Sequence, residues 1–281
     1  MLIPASNNSL DPGGQFQFPT ALNVSLLYLK FQPRYSIFLE SDIAGSFIVD
    51  AAISHTFGQA YKNITYNPPK TPAGPFSTLE FEIFSEESGA LLVSNSIPVN
   101  STGNIIEFSF SSLKPRLQPW PISIYATSPD GLQTYSGSTE IYFLPSRTYG
   151  SAVKIDNLFG GLYVQNAANE WNGWYGIFPN GGYADGGYVT PTNISFANLD
   201  TYASQGFNTI SIVPDGGLPD QSYPVEELKQ YWDRMDELNL FNIYEMRFAF
   251  QNSTRINEQV ELWRNRTTLL MWYTGKLLIN C

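Results

Sequence analysis

Glu245 and Arg247 stand two residues apart in NLFNIYEMRF, and opposite charges at that spacing share one face if the segment is a strand. Such a pair can contact the hydroxyls of a polar ligand. It can also neutralise itself inside a fold where either charge alone would be costly to bury, and this structural pairing is the favoured of the two readings. A second group is aromatic: NAANEWNGWYGIFPNGGYADGGYV carries Trp171, Trp174, Tyr175, Phe178 and Tyr183 among asparagines and glycines. Flat rings pack on the apolar faces of sugars while Asn and Asp bond hydroxyls, so the composition suits carbohydrate. A loop packed on itself explains the same residues equally well. Asp215 in VPDGG is a third candidate, with a turn before Gly216-Gly217 as its simpler role. Trp272 in LLMWYT completes the candidate ligand contacts.

Other chemistry is excluded by what the chain lacks. His55 is the only histidine and Cys281 the only cysteine, so no His/Cys cluster, no intrachain disulfide and no Ser-His-Asp triad beside these residues can form. No metal and no cofactor are expected. Fifteen basic against 25 acidic residues give a net charge of −10, and no Lys/Arg cluster exists to neutralise phosphates, so a nucleic-acid partner is not expected. No apolar run approaches the roughly 20 residues that span a bilayer, so no membrane partner is expected either. Neutral ligands such as sugars remain.

Charged residues are only 14% of the chain, and the N-x-S/T sequon occurs at Asn7, Asn23, Asn63, Asn100, Asn193, Asn252 and Asn265. This density points to an extracellular or cell-wall protein. MLIPASNNSL has neither a basic start nor an apolar stretch, so it does not read as a signal peptide.

The elements that must position these residues fall into two halves of different period. Across 1–148, TLEFEIF places Leu79, Phe81 and Ile83 at spacing two, and NIIEFSF does the same with Ile106, Phe108 and Phe110. PISIYATSPDGLQTYSGSTEIYFL reads as a hairpin turning at Asp130-Gly131, and no amphipathic helix is evident. Short strands with turns between them predict a β-sandwich, immunoglobulin-like in general form.

From 149 to 281 strands alternate with helices. GGLYVQ (160–165), FNTISIV (207–213), NLFNIYEMRF (239–248) and Leu269 to Tyr273 read as strands. Between them come helices marked by Phe196, Leu199, Tyr202 and Ala203, by Leu228, Trp232, Met235 and Leu238 after Pro224, and by Ile256, Val260 and Trp263 in a pattern running to Arg266. This β-α-β-α-β-α-β order predicts parallel pairing through right-handed crossovers: the first half of a (β/α)8 barrel, with a doubly wound sheet as the alternative. No glycine-rich phosphate loop follows any of the strands.

GLYVQNAANEWNGWYGIFPNGGY, GFNTISIVPDGG, YWDRMDELNLFNIYEMRF and NEQVELWRNRTTLLMWYT together resemble the first half of a glycoside-hydrolase-type TIM barrel of secreted fungal proteins, over about residues 150–274. A β-sandwich often accompanies such barrels. The resemblance implies action on O-glycosidic bonds of a polysaccharide, with a general acid/base carboxylate in an acidic Asp-Glu-Pro type segment after the fourth strand and a second near the end of the seventh. Here Thr274 is followed by Gly275 and Lys276, and the chain does not reach a seventh strand. The expectation is therefore a truncated, inactive relative with no assignable catalytic residue, or, alternatively, a non-catalytic carbohydrate-binding or cell-wall protein. Gly275-Lys276 can be encoded by GGT-AAG, which contains an intron-start sequence, and residues 275–281 read as translated intron or as a genuine early stop. A half-barrel with open edges is expected to self-associate.

Overall fold

The computed structural model describes residues 19–61, 76–184, 196–212, 225–246 and 252–273. Asp215, Arg247, Asn7, Asn63, Asn193 and the tail from Thr274 lie outside these residues. Contacts divide the chain into two compact units: one takes the chain up to Arg34, Asp42–Lys114 and Gln118–Tyr142, the other Tyr35–Ser41, Pro115–Leu117 and everything from Phe143.

The first unit is built from β1 (Leu26–Pro33), β3 (Gly45–Ser54), β4 (Gln59–Ala60), β5 (Thr78–Ser85), β6 (Leu91–Pro98), β7 (Ser101–Phe108), β8 (Trp120–Thr127) and β9 (Thr134–Ile141). They form two antiparallel sheets, in the orders β4-β1-β3-β7 and β6-β5-β8-β9. The period of two does what it should. Leu79, Phe81 and Ile83 are buried while Glu80 and Glu82 between them are exposed, and Ile122, Ile124 and Ala126 repeat the pattern on β8. In the other sheet Phe47 stacks on Phe108 with ring centroids 4.5 Å apart. Two sheets with one buried face each make a β-sandwich. Tyr135 of one sheet reaches the other, donating from its hydroxyl to the Ala60 carbonyl over 3.4 Å. The expected β8–β9 hairpin is present, closed by Gly131 at φ +71° and by Asp130, whose carboxylate accepts from the Ser128 hydroxyl and the Leu132 N–H.

The second unit holds a short parallel pair, β2 (Phe38–Leu39) with β10 (Phe143–Leu144), and two sheets. One is antiparallel, in the order β11 (Ser151–Ile155), β12 (Leu162–Asn166), β13 (Tyr175–Ile177). The other is parallel and runs in sequential order through β14 (Gly181–Ala184), β15 (Thr209–Ile212), β16 (Phe241–Glu245) and β17 (Leu269–Tyr273). Helices α1 (Ala197–Ser204), α2 (Val225–Leu238) and α3 (Ser253–Trp263) alternate with these strands. A doubly wound sheet reverses its strand order at a switch point, and among the described strands no reversal occurs.

Two expectations need correction. GGLYVQ is not the first parallel strand: its residues form β12, paired antiparallel on both sides. The parallel sheet begins instead with GGYA, inside the stretch read as a loop. The third helix also stops at Trp263, with Arg264 as its C-cap, short of Arg266.

The residues that mark the resemblance build the core behind this sheet. Trp232 stacks on both Trp263 and Tyr244, at 5.0 and 5.5 Å, and its indole N–H donates to the Thr268 hydroxyl over 3.1 Å. The Arg266 guanidinium lies 5.8 Å from the Trp232 ring centroid and 5.5 Å from that of Trp263, and pairs with Asp233 and Asp236. Asp236 also accepts from the Thr267 and Thr268 hydroxyls and the Thr268 N–H. Thus YWDRMDELN and WRNRTTLL are locked together through one aspartate and one arginine, which sets where β17 starts.

Candidate functional site

Ile212 and Tyr244 belong to the core on the helix side, so by strand alternation Ser211, Ile243 and Glu245 face the side without helices. Glu245 closes β16 at its C-terminal end and is 2% exposed. Such an end is where functional groups of parallel α/β sheets gather. Its Oε2 accepts a 2.6 Å hydrogen bond from the Tyr183 hydroxyl. Tyr183 stands on β14, in register with Ser211 and, through it, Ile243. Its side chain therefore passes diagonally across β15, where Ser211 is small and bonds its own hydroxyl to the Ile243 carbonyl over 3.1 Å.

β14 is pinned so that this reach is possible. Gly181 lies so close to β15 that a Cβ there would sit 1.5 Å from the Thr209 carbonyl oxygen, which only glycine tolerates. The Tyr202 hydroxyl of α1 accepts from the Gly182 N–H over 2.7 Å and donates to the Thr209 carbonyl over 3.0 Å, tying helix to both strands.

A β-bulge decides what β17 presents. Asn242 pairs with Leu269 but Ile243 pairs with Met271, leaving Leu270 as the extra residue. Leu270 and Met271 accordingly both join the cluster on the helix-free side with Val164, Phe241 and Ile243, and Tyr273 stands opposite Glu245. Trp272 is turned the other way, edge-on to Tyr244 at 5.3 Å within the helix-side core.

The remaining aromatic candidates are tied to the antiparallel sheet. Tyr175 packs with the Val164 cluster, and burial pushes its phenol up from the usual range. Trp174 and Tyr35 hold the Lys154 ammonium between them, at 4.0 and 4.2 Å from the ring centroids, and Lys154 is only 6% exposed. Trp171 sits at φ +56° with its carbonyl accepting from the Gln165 amide over 2.7 Å. Phe178 stands in solvent. Of the residues singled out in the sequence, the structure thus brings Glu245 together with Tyr183, packs Tyr175 into the helix-free cluster that also takes Ile243 and Met271, and places Trp272 in the helix-side core and Trp174 against Lys154. The Tyr183–Glu245 bond escaped the sequence because GGYA lacks the apolar run of a buried strand. The spacing of its two glycines before a tyrosine was the available signal.

Among the described residues no group of three His, Cys, Asp or Glu side chains could hold a metal ion, and no helix is long and apolar enough to cross a membrane. Asn23, Asn100, Asn252 and Asn265 are all exposed.

No family model and no curated protein matches the chain. Among the solved structures that it matches are glycoside hydrolases. A beta-glucuronidase from Parabacteroides merdae has a TM-score of 0.31 and 11% identity, over 90% of this chain and 29% of its own. A beta-glycosidase from Bacteroides vulgatus has 0.34 and 10%, over 92% and 31%. A beta-D-mannosidase from Dictyoglomus thermophilum has 0.29 and 12%, over 89% and 29%. The chain spans less than a third of the length of each of these three proteins. Likeness at this level does not establish a shared fold.

Proposed function

We propose that the chain is a glycoside-hydrolase-like, carbohydrate-binding protein whose ligand sits on the helix-free face of the parallel sheet, at its C-terminal end. The observation that carries this reading is the buried Glu245 carboxylate, held by Tyr183 from two strands away. A carboxylate has about four acceptor positions on its two oxygens, so one held by a phenol can also accept from a sugar hydroxyl, and Tyr273 opposite it offers a ring and a hydroxyl. The sequential parallel order supports half of a (β/α)8 barrel, and the sheet orders β1-β3-β7 and β6-β5-β8-β9 support an immunoglobulin-like sandwich beside it. Among the described residues no further strand pairs with the outer edge of β14, which supports self-association through that edge.

Binding, not turnover, is the activity assigned to this chain. Glycoside hydrolysis uses two carboxyl groups about 5–5.5 Å apart for retention or about 6.5–9.5 Å for inversion. Among the described residues of β14 to β17, Glu245 is the only carboxylate. A glycan array with the whole chain, followed by titration calorimetry on each hit, tests the proposal. Glu245→Gln and Tyr183→Phe are expected to weaken a bound glycan about tenfold each; an array without hits, or hits indifferent to both substitutions, overturns it.

A further inference from the structure

We propose that Asn100 and Asn252 are N-glycan acceptors that the fold holds with the amide nitrogen in water. Both open N-x-T sequons, Asn100-Ser101-Thr102 and Asn252-Ser253-Thr254, and all six residues except half-buried Ser101 are exposed.

The two asparagines are fixed in the same manner by unrelated local structure. Asn100 ends the turn between β6 and β7 at φ +62°, its N–H donates to the Ala51 carbonyl over 2.7 Å, and its Oδ1 accepts from the Ile53 N–H over 3.4 Å. Asn252 is the N-cap of α3, and its Oδ1 accepts from the Arg255 N–H over 3.2 Å. In each case the oxygen is the atom that the fold uses. The nitrogen, on the far side of the same planar amide, makes no hydrogen bond among the described residues. Three asparagines outside sequons use the nitrogen instead: Nδ2 donates to the Val49 carbonyl from Asn104, to the Thr267 carbonyl from Asn166, and to the Phe178 carbonyl from Asn208. A glycan on any of those would break a bond that the fold makes. On Asn100 and Asn252 it would break none, and the retained oxygen bond would orient it outward.

The modification is a condensation. Nδ2 forms a bond to the anomeric carbon of an oligosaccharide carried on a lipid diphosphate, the anomeric C–O bond breaks, the lipid diphosphate leaves, and the amide gives up one proton. No oxidant or reductant is needed. The consequence is an extracellular or cell-surface protein with glycans on both compact units. This inference stands apart from the Glu245 site and survives its failure.

The test is expression of the whole chain behind a cleavable signal peptide in a eukaryotic host, with an appended N-G-T tripeptide whose glycosylation reports access to the transferase. Amidase release in heavy-oxygen water marks each occupied asparagine as labelled aspartate for peptide mass spectrometry. Label is expected at Asn100 and Asn252. Thr102→Ala and Thr254→Ala, which keep both asparagines and their hydrogen bonds, are each expected to remove one glycan without changing the melting temperature. Unlabelled Asn100 and Asn252 in molecules whose tripeptide is glycosylated overturn the proposal.

Discussion

The hydroxyl of Tyr183 on β14 bonds the carboxylate of Glu245 on β16 over 2.6 Å, with a whole strand between them. Glu245 is buried and its charge needs donors, so this bond links the stability of the sheet to the geometry of the site. Tyr183→Phe is expected to cost about 2 kcal/mol, the usual scale for a hydrogen bond to a charged group. Urea unfolding measures it. Glu245→Gln should cost less than Tyr183→Phe, since a neutral amide still accepts from the phenol.

Gly181→Ala is expected to detach β14. A methyl 1.5 Å from the Thr209 oxygen cannot be accommodated by a rotamer change, because the atom it meets is backbone. Hydrogen exchange should accelerate in β14 and at the Thr209 end of β15 while the β1–β9 sandwich keeps its protection. Unchanged exchange in β14 would show that the strand can shift without separating.

Arg266→Ala removes the partner of Asp233 and Asp236 and the cation over Trp232 and Trp263. Its side chain is 15% exposed, and leaving Asp236 without its cation in a half-buried setting is expected to cost about 2–3 kcal/mol. Trp263→Ala, which opens a cavity beside Trp232 and Tyr244, should cost about 3–5 kcal/mol. Because the two side chains touch, the double variant is expected to lose less than the sum. Chemical denaturation of the four proteins of this cycle reads the coupling.

Burial, with a smaller contribution from Tyr61, pushes the Tyr135 phenol up to about 12. A raised tyrosine pKa means that the folded state keeps the proton while the unfolded chain loses it. The contribution is fully present below about pH 10 and is lost as pH rises from there towards about 12. Tyr135→Phe, which cannot ionise, is expected to flatten that part of the stability–pH curve. A wild-type curve that does not fall between pH 10 and 12 would contradict the burial argument.

Local patterns were legible in the amino-acid order wherever one strong signal acted alone. Leu79, Phe81 and Ile83 alternate because one side of β5 meets the core, and Leu228, Trp232 and Met235 fall on one stripe because α2 has one buried side. Asp130-Gly131 makes its turn with its own side chain and its own φ, and Leu269 to Tyr273 form the strand expected of them. The sandwich followed by a β/α segment follows from such periods alone. Charge and the single histidine and cysteine directed the expectation towards uncharged ligands.

What the tertiary structure decided are relations between segments far apart in the chain. GGLYVQ and GGYA each look wrong for their places. GGLYVQ has the apolar run of a parallel strand yet pairs antiparallel, and GGYA reads as a loop yet opens the parallel sheet because Gly181 admits the Thr209 carbonyl. Local propensity cannot distinguish a glycine in a turn from one demanded by a neighbouring backbone. The sides that Trp272 and Glu245 face were out of reach for a similar reason. The side that a residue faces depends on counting from the last irregularity, and the bulge at Leu270, set by pairing with β16, turned Trp272 towards the helices while Glu245 kept the open face.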